Sequence, residues 1–216
     1  MFLSYLVTCH NETDSLEKLL STLVKYKKNR HEIVLLDDYS DNQTTLEIIQ
    51  TYKNQINFYQ HKLDKNYGAH KNYGIEQCIG TWIFQLDADE LPTDNLIENI
   101  DLILESNNAN EVIWLPRLNY FDGVTEDDIK MWGWNYNDNM INFPDYQSRL
   151  YRNSSHIRYQ RRLHEKVEGY KSYTFIPPQK DYAILHKKTI EKQRQTNINY
   201  NKLFTQEENK GYTITK

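Results

Sequence analysis

Along the first half of the chain, apolar residues arrive in short runs separated by polar stretches. Phe2-Leu-Ser-Tyr-Leu-Val-Thr-Cys9 reads as a β-strand. Asn11 to Asp14 then offers capping residues ahead of Leu16, Leu19, Leu20 and Leu23, which recur with helical period. Glu32-Ile-Val-Leu-Leu-Asp-Asp38 repeats the strand pattern and, after the polar turn Tyr39 to Thr44, the positions Leu46, Ile48, Ile49 and Tyr52 predict a helix. Ile56 to Gln60 fits a short third strand, Ala69 to about Cys78 a helix, Gly80 to Leu86 a fourth strand, and Leu96 to Leu104 another helix. Strand and helix in alternation predict an α/β fold whose central sheet is mostly parallel and flanked by helices.

Beyond Val112 to Pro116 the rhythm changes. Residues 117–145 are rich in Asn, Asp, Gly and Trp without a clear period, and read as an ordered loop or flap. Short strand-like pieces follow, such as Gln147 to Tyr151 and Tyr182 to Leu185. Lys187 to Leu203 then reads as a polar helix, and the tail after Phe204 is expected to be mobile. With no internal repeat or low-complexity linker, the 216 residues are read as one domain.

Composition adds three constraints. Hydrophobic content of 38% and a mean hydropathy of −0.83 are low for a globular chain, but 17 Tyr, 4 Trp and 7 Phe supply large apolar surfaces with polar tips. Cys9 and Cys78 lie far apart in apolar stretches, with no partner at metal-ligand spacing, and read as buried free thiols of a reducing compartment. No apolar segment approaches the roughly 18 to 20 residues that span a bilayer, and Met1 to Val7 lacks the basic start of a signal peptide. A soluble, cytoplasmic protein is expected.

The formal charge of −4 hides an asymmetry. Residues 1–144 hold 23 acidic and 11 basic side chains, a net of −12, and residues 145–216 hold 7 and 15, a net of +8. A basic C-terminal third without a nucleic-acid motif suits a lobe that closes over a phosphorylated ligand better than a nucleic-acid surface.

The sharpest chemical signal is Gly80-Thr-Trp-Ile-Phe-Gln-Leu-Asp-Ala-Asp-Glu90, an apolar run that stops abruptly in Asp87, Asp89 and Glu90. Ligands of open α/β sheets bind at the carboxyl ends of the strands, and two Asp at i and i+2 there can reach one hard cation. Such an ion could carry a diphosphate. The pattern recurs near Asp127, and Asp87 and Asp89 would equally suit the cap of a helix beginning near Pro92, so context has to decide.

Four features stand in order. Val7-Thr-Cys-His-Asn-Glu12 ends strand one and Leu36-Asp-Asp-Tyr-Ser-Asp41 ends strand two; Asn66-Tyr-Gly-Ala-His-Lys-Asn-Tyr-Gly-Ile75 and Gly80 to Glu90 follow. This order resembles the family 2 glycosyltransferases of the GT-A fold. Arg149-Leu-Tyr-Arg152, Arg162-Leu-His-Glu-Lys-Val167 and His186-Lys-Lys-Thr189 are similar to the branch of that family that includes lipopolysaccharide-core glucosyltransferases.

The resemblance implies a nucleotide-sugar-binding half, residues 1–116, and an acceptor-side half, residues 117–216, that ends in the C-terminal helix. Thr8, Asn11, Glu12, Asp38, Lys71, Asp87 and Ala88 fall at donor-binding positions. A carboxylate at Asp38 can accept the imide N–H of uracil, which favours a UDP-sugar; Asp37, Asp38 and Ser40 could also be simple turn formers. Lys71, where the family often has Arg, is expected to meet the diphosphate or to be a solvated helix lysine. Asp89, Asp87 and His186 are the implied ligands of Mn²⁺ or Mg²⁺, with a structural histidine as the alternative at His186. His164-Glu165 falls where the family places its acid/base motif, so Glu165 is the expected base of an inverting transfer, unless it only pairs with Arg161 or Arg162. Asp145 and the acidic stretch Glu126 to Asp128 are the next candidates.

Departures narrow the reading. The chain lacks the Gln-x-x-Arg-Trp motif and membrane helices of the processive synthases, so a single-addition hexosyltransferase is expected. Tyr39 replaces the usual small residue before Ser40 and is expected to narrow or reshape the base pocket. Partners are a UDP-sugar and a glycan or other hydroxyl acceptor, and no nucleic acid; nothing in the sequence sets an oligomeric state. The alternatives are a sugar-1-phosphate nucleotidyltransferase, which Cys9-His-Asn-Glu-Thr13 disfavours because it holds no glycine, and a non-catalytic carbohydrate binder. The binder would stack sugars on Trp132, Trp134, Tyr136 and Tyr146.

Overall fold

Strands β1 (Leu3–Cys9), β2 (Glu32–Asp37), β3 (Asn57–Gln60) and β4 (Trp82–Asp87) pair in parallel in the computed structural model, which describes residues 1–209. The continuous apolar runs of β1, β2 and β4 require burial on both faces, β3 is a largely exposed edge strand, and β1 and β4 lie side by side near the middle of a seven-stranded sheet. Helices α1 (Asp14–Tyr26), α2 (Gln43–Tyr52) and α3 (Tyr67–Glu76) connect them. Leu16, Leu19, Leu20 and Leu23 of α1 are all buried, in one core with alternate residues of β1 (Leu3, Tyr5, Val7, Cys9). The opposite face of β1, through Leu6, packs in a second core with Ile75 of α3. Both thiols are buried, and burial is the main force pushing each up to about 12.

After β4 the chain continues through β5 (Glu90–Pro92), α4 (Asp94–Glu98), α5 (Ile100–Ser106) and β6 (Val112–Leu115). The helix expected over Leu96 to Leu104 is broken in two at Asn99. Neither Asp87 nor Asp89 caps it, because the chain first extends as β5 and the helix starts only after Thr93.

The stretch 117–145 is not a loop. It holds β7 (Arg117–Asp122), α6 (Glu126–Trp132), β8 (Tyr136–Asn137) and β9 (Met140–Ile141). Helix α6 is fixed by a reciprocal capping box between Thr125 and Asp128 and stopped by Gly133 at φ 61, end signals that a search for apolar period passes over. Next come β10 (Gln147–Arg152), β11 (Arg158–Gln160), β12 (Lys166–Glu168) and β13 (Tyr173–Phe175). A 3₁₀ turn (Lys180–Tyr182) precedes β14 (Ile184–Thr189), and helix α7 (Ile190–Leu203) starts three residues later than its polar sequence suggested. Thr205 and Glu208 hold the following turn together, and the tail expected to be mobile lies beyond it, outside the described residues.

The large sheet has the order β13-β6-β10-β4-β1-β2-β3, with β10 antiparallel to both neighbours. A five-stranded sheet, β5-β14-β7-β9-β8, stands beside it, and β11 and β12 form a separate hairpin. Register aligns the strand ends: Thr8 is opposite Asp87 and Cys9 opposite Asp37. The acidic ends therefore share one edge.

The hairpin end approaches this edge at Gly68, where a Cβ would stand 2.3 Å from the backbone oxygen of Arg161. Tyr67 donates its N–H to Arg162 at 2.9 Å in the same contact. Gly68→Ala is expected to push the 161–165 segment away, at a cost of about 1–3 kcal/mol. Thermal denaturation checks this, since each kcal/mol lowers Tm by roughly 2–4 °C in a chain of this size. A wild-type Tm would show that the segment yields freely.

Candidate active site

A cleft of about 710 Å³ opens over the carboxyl ends of β1, β2 and β4 and is closed from the other side by β14, α7 and the 161–165 segment. Asp87 is its electrostatic centre. Oδ1 accepts from Thr8 Oγ1 at 2.8 Å, Gln85 Nε2 at 3.0 Å and Lys71 Nζ at 3.0 Å, and Oδ2 from Arg149 Nη2 at 2.6 Å. Burial would push the Asp87 carboxyl up, but Arg149 and Lys71 hold it well below the usual carboxylate range. Both of its oxygens thus face cations, at the position where a metal ligand beside Asp89 was expected.

Charges of alternating sign extend from this centre. Arg149 also meets Glu90 at 2.6 Å, Glu90 meets Arg117 at 2.8 Å, and Arg117 meets Asp145 at 2.8 Å. Asp145 takes the amide of Asn119 at 2.6 Å. Arg149 and Glu90 are almost fully enclosed, and removing one member of such a buried set typically costs about 3–5 kcal/mol. Asp145 is part of this scaffold and does not line the cleft; nor do Glu126 to Asp128, whose Asp128 caps α6 and binds Arg194.

On the other side of Asp87, Lys71 bridges to Glu165 Oε1 at 2.6 Å. Lys71 is only 4% exposed. Burial opposes its charge, yet Asp87 and Glu165 raise its pKa above the ordinary lysine value. Neither a solvated lysine nor an uncommitted cation for a diphosphate, it brings two carboxylates together. His164, at φ 51, faces the ring of Tyr200 edge-on and meets Asn209 at 3.2 Å.

Asp89 faces His186. Asp89 Oδ2 and His186 Nε2 are 3.5 Å apart, and His186 Nδ1 is 2.8 Å from Asn119 Oδ1. Because the Asn119 amide nitrogen donates to Asp145 and to the Ile141 carbonyl, its oxygen is left to accept from His186 Nδ1–H. That hydrogen bond places a proton on Nδ1 and turns Nε2 towards Asp89, to which it donates when the imidazole is protonated. Burial opposes the Asp89 charge, but His186 holds the carboxyl down at about 2. A divalent cation between these two groups fits the donor set. Among the described residues no cluster of three or more His, Cys, Asp or Glu could hold a metal ion.

The Asp38 end of the cleft is simpler. Asp38 Oδ1 accepts the backbone N–H of Leu63 at 2.8 Å, and the side chain lines the cleft with Thr8 and Glu12. Asp37 is instead fully buried, bonded to Ser40 and Gln60. Asn11 does not line the cleft. At φ 53 it clamps the ends of β1 and β2, accepting from the N–H groups of Asp41 and Asn42 and donating to Asp41. Tyr39 points away at φ 47, 57% exposed, and so does not narrow the pocket. Ala88 is buried in the cleft wall, donating its N–H to Thr8. Glu12 is paired with Lys192 of α7.

Among these groups, Gln85, Arg149, Arg117 and Asn119 carry roles that the sequence reading did not give them. Their signal was a polar residue inside an apolar strand, as in Trp82-Ile-Phe-Gln-Leu-Asp87.

The model of glycosyl transferase family 2 matches residues 4–175. Over 114 residues the chain is 27% identical to the poly(ribitol-phosphate) beta-N-acetylglucosaminyltransferase TarP of Staphylococcus aureus, covering 51% of this chain and 35% of TarP. Over 91 residues it is 32% identical to the poly-beta-1,6-N-acetyl-D-glucosamine synthase of S. aureus, covering 41% and 22%. The crystal structure of S. aureus TarS 1-349 in complex with UDP-GlcNAc superimposes with a TM-score of 0.59 at 16% identity, over 99% of this chain and 62% of that one. The chain thus has the GT-A fold and spans about a third or less of these curated relatives. The narrower lipopolysaccharide-core branch is carried by the motifs of residues 149–189 alone.

His70 stands behind Asp38 with His61, their Nδ1 atoms 3.4 Å apart. Burial lowers its pKa to about 4, whereas an unfolded histidine titrates near 6.5. As pH falls from about 6.5 to 4 the unfolded chain binds a proton that folded His70 refuses, so stability is lost over that window. His70→Gln is expected to flatten the fall in unfolding free energy between pH 6.5 and 4, measured by denaturant titration. Identical slopes in the two proteins would refute the assignment.

Proposed function

The chain belongs to glycosyl transferase family 2, and from that premise we propose that it transfers a sugar from a UDP-sugar to a hydroxyl acceptor, with inversion and one addition at a time. The observation that carries this reading is the single cleft that collects Asp38, Asp89 with His186, and Glu165. The named activities of TarP and the synthase, and the UDP-GlcNAc in the TarS structure, support a uridine donor carrying a hexose or N-acetylhexosamine.

In this proposal Asp38 accepts the uracil imide through the oxygen that Leu63 leaves open. Asp89 and the Nε2 atom of His186 hold Mn²⁺ or Mg²⁺, which when bound would neutralise the charge that develops on the diphosphate. Asn119 keeps His186 in the tautomer this requires. Lys71 holds one oxygen of Glu165, so the other faces the cleft to take the proton of the acceptor hydroxyl. The acceptor oxygen then bonds the anomeric carbon, the bond from that carbon to the diphosphate oxygen breaks, and UDP departs. No helix among the described residues is long and apolar enough to cross a membrane, and a glycan acceptor fits the aromatic surface of Trp132 and Trp134, whose rings lie 4.5 Å apart.

Titration with UDP in the presence and absence of Mn²⁺ tests the donor assignment; metal-enhanced binding is expected, and its absence would sink it. Appearance of UDP only when an acceptor is added separates transfer from simple sugar binding.

Glu165→Gln keeps shape and removes the proton-accepting charge. Donor binding is expected to stay within a few-fold of wild type while transfer falls about 10²-fold or more, the usual scale for a general base. Transfer near the wild-type rate would leave Glu165 as no more than a partner of Lys71.

A further inference from the structure

Six carboxylates and five Lys or Arg side chains line the cleft, so a diphosphate would enter a site with no surplus of positive charge. Four of the five cations are already answered: Lys71 by Asp87 and Glu165, Arg149 by Asp87 and Glu90, Arg117 by Glu90 and Asp145, and Lys192 by Glu12. The fifth is Lys188. Among the described residues no carboxylate lies within ion-pair distance of it, and its ammonium sits 4.7 Å over the ring of Phe121.

Its position is set by the strand. Lys188 follows His186 by two residues on β14, so both side chains project from the same face. Their partners on β7 are Phe121 and Asn119. On the other side of β14 the antiparallel register pairs Ile184 with Pro92 and His186 with Glu90. Lys188 thus stands on the cleft wall two residues beyond His186, which faces Asp89. Asp89 and Glu90 attract it, and Arg117 and Lys192 repel it.

We propose that Lys188 is the phosphate-binding cation of the cleft, donating to an unesterified oxygen of the nucleoside diphosphate beside the Asp89–His186 corner. The inference rests on the donor reading above and names the one cleft-lining Lys or Arg, among the described residues, with no carboxylate at ion-pair distance. A committed ammonium would have to give up a carboxylate to bind phosphate; Lys188 gives up only a ring contact. Its place on the strand of His186, which faces Asp89, assigns it to the donor and not to an anionic acceptor.

Calorimetric titration of the wild type, Lys188→Met and Lys188→Arg with UDP, uridine and inorganic pyrophosphate, each with EDTA and with Mn²⁺, tests this. Lys188→Met is expected to lose about tenfold or more in UDP affinity, the scale of one charge-assisted hydrogen bond, with uridine affinity unchanged and Tm close to wild type. Lys188→Arg should retain most of the UDP affinity. Unchanged UDP binding in Lys188→Met, or an equal loss for UDP and uridine, would overturn the proposal. If the wild type binds neither UDP nor uridine, the donor reading fails by itself, and pyrophosphate then decides on Lys188: binding that Lys188→Met weakens supports the phosphate role, and no such binding or no weakening overturns it.

Discussion

A carboxylate buried at the end of a central strand must be neutralised, and the neutralisation of Asp87 organises the rest of this molecule. Arg149 comes from the antiparallel strand β10, Lys71 from helix α3 and Thr8 from β1. Each is drawn to the same two oxygens. The requirement propagates outward, because Lys71 then carries Glu165 to the cleft and Arg149 enforces Glu90, which in turn sets Arg117 and Asp145. Ion pairs this enclosed contribute less to net stability than to the uniqueness of an arrangement, since the desolvation of each partner offsets much of the attraction. Here the arrangement is the spacing of the reactive groups.

This network also divides labour between two acidic residues that look equivalent in sequence. Asp87 is saturated by cations and serves as a fixed point. Asp89, two residues on, is left facing Nε2 of His186. The difference arises from the chain's turn into β5 at Glu90, which sends the two side chains towards different neighbours. The GT-A fold supplies the edge, and the buried charges decide what each residue at that edge is free to do.

Most of the first half was legible in the sequence because its strands are buried on both faces and its helices on one. The runs Phe2 to Cys9 and Glu32 to Asp38 and the spacing of Leu16, Leu19, Leu20 and Leu23 admit few other readings. Between Arg117 and Asp145 the same approach failed, since α6 is specified by Thr125, Asp128 and Gly133 at its ends, and β8 and β9 are only two residues long. That Asp38, Asp89, Glu165 and His186 line one cleft was legible from residue type and order. What a sequence does not display is commitment: that Asn11 is consumed by the β1 and β2 turns, that Lys71 is shared by two carboxylates, and that Lys188 has no carboxylate partner among the described residues all depend on neighbours distant along the chain, as Glu165 is from Lys71.

The insertion of β10 between β4 and β6 bears on how such a protein comes into being. Its partner β4 ends at residue 87, yet β10 begins at residue 147, so a ribosome must emit some sixty further residues before the sheet can close. Until then the first half is a sheet with an open edge and two acidic groups, Asp87 and Glu90, awaiting a guanidinium. The portion before residue 117 is therefore not a transferable cassette. A gene fusion cut near residue 116 would exchange surfaces but sever the charge on which both portions were built, and recombination within this architecture is constrained to junctions outside the span from Thr8 to Glu165.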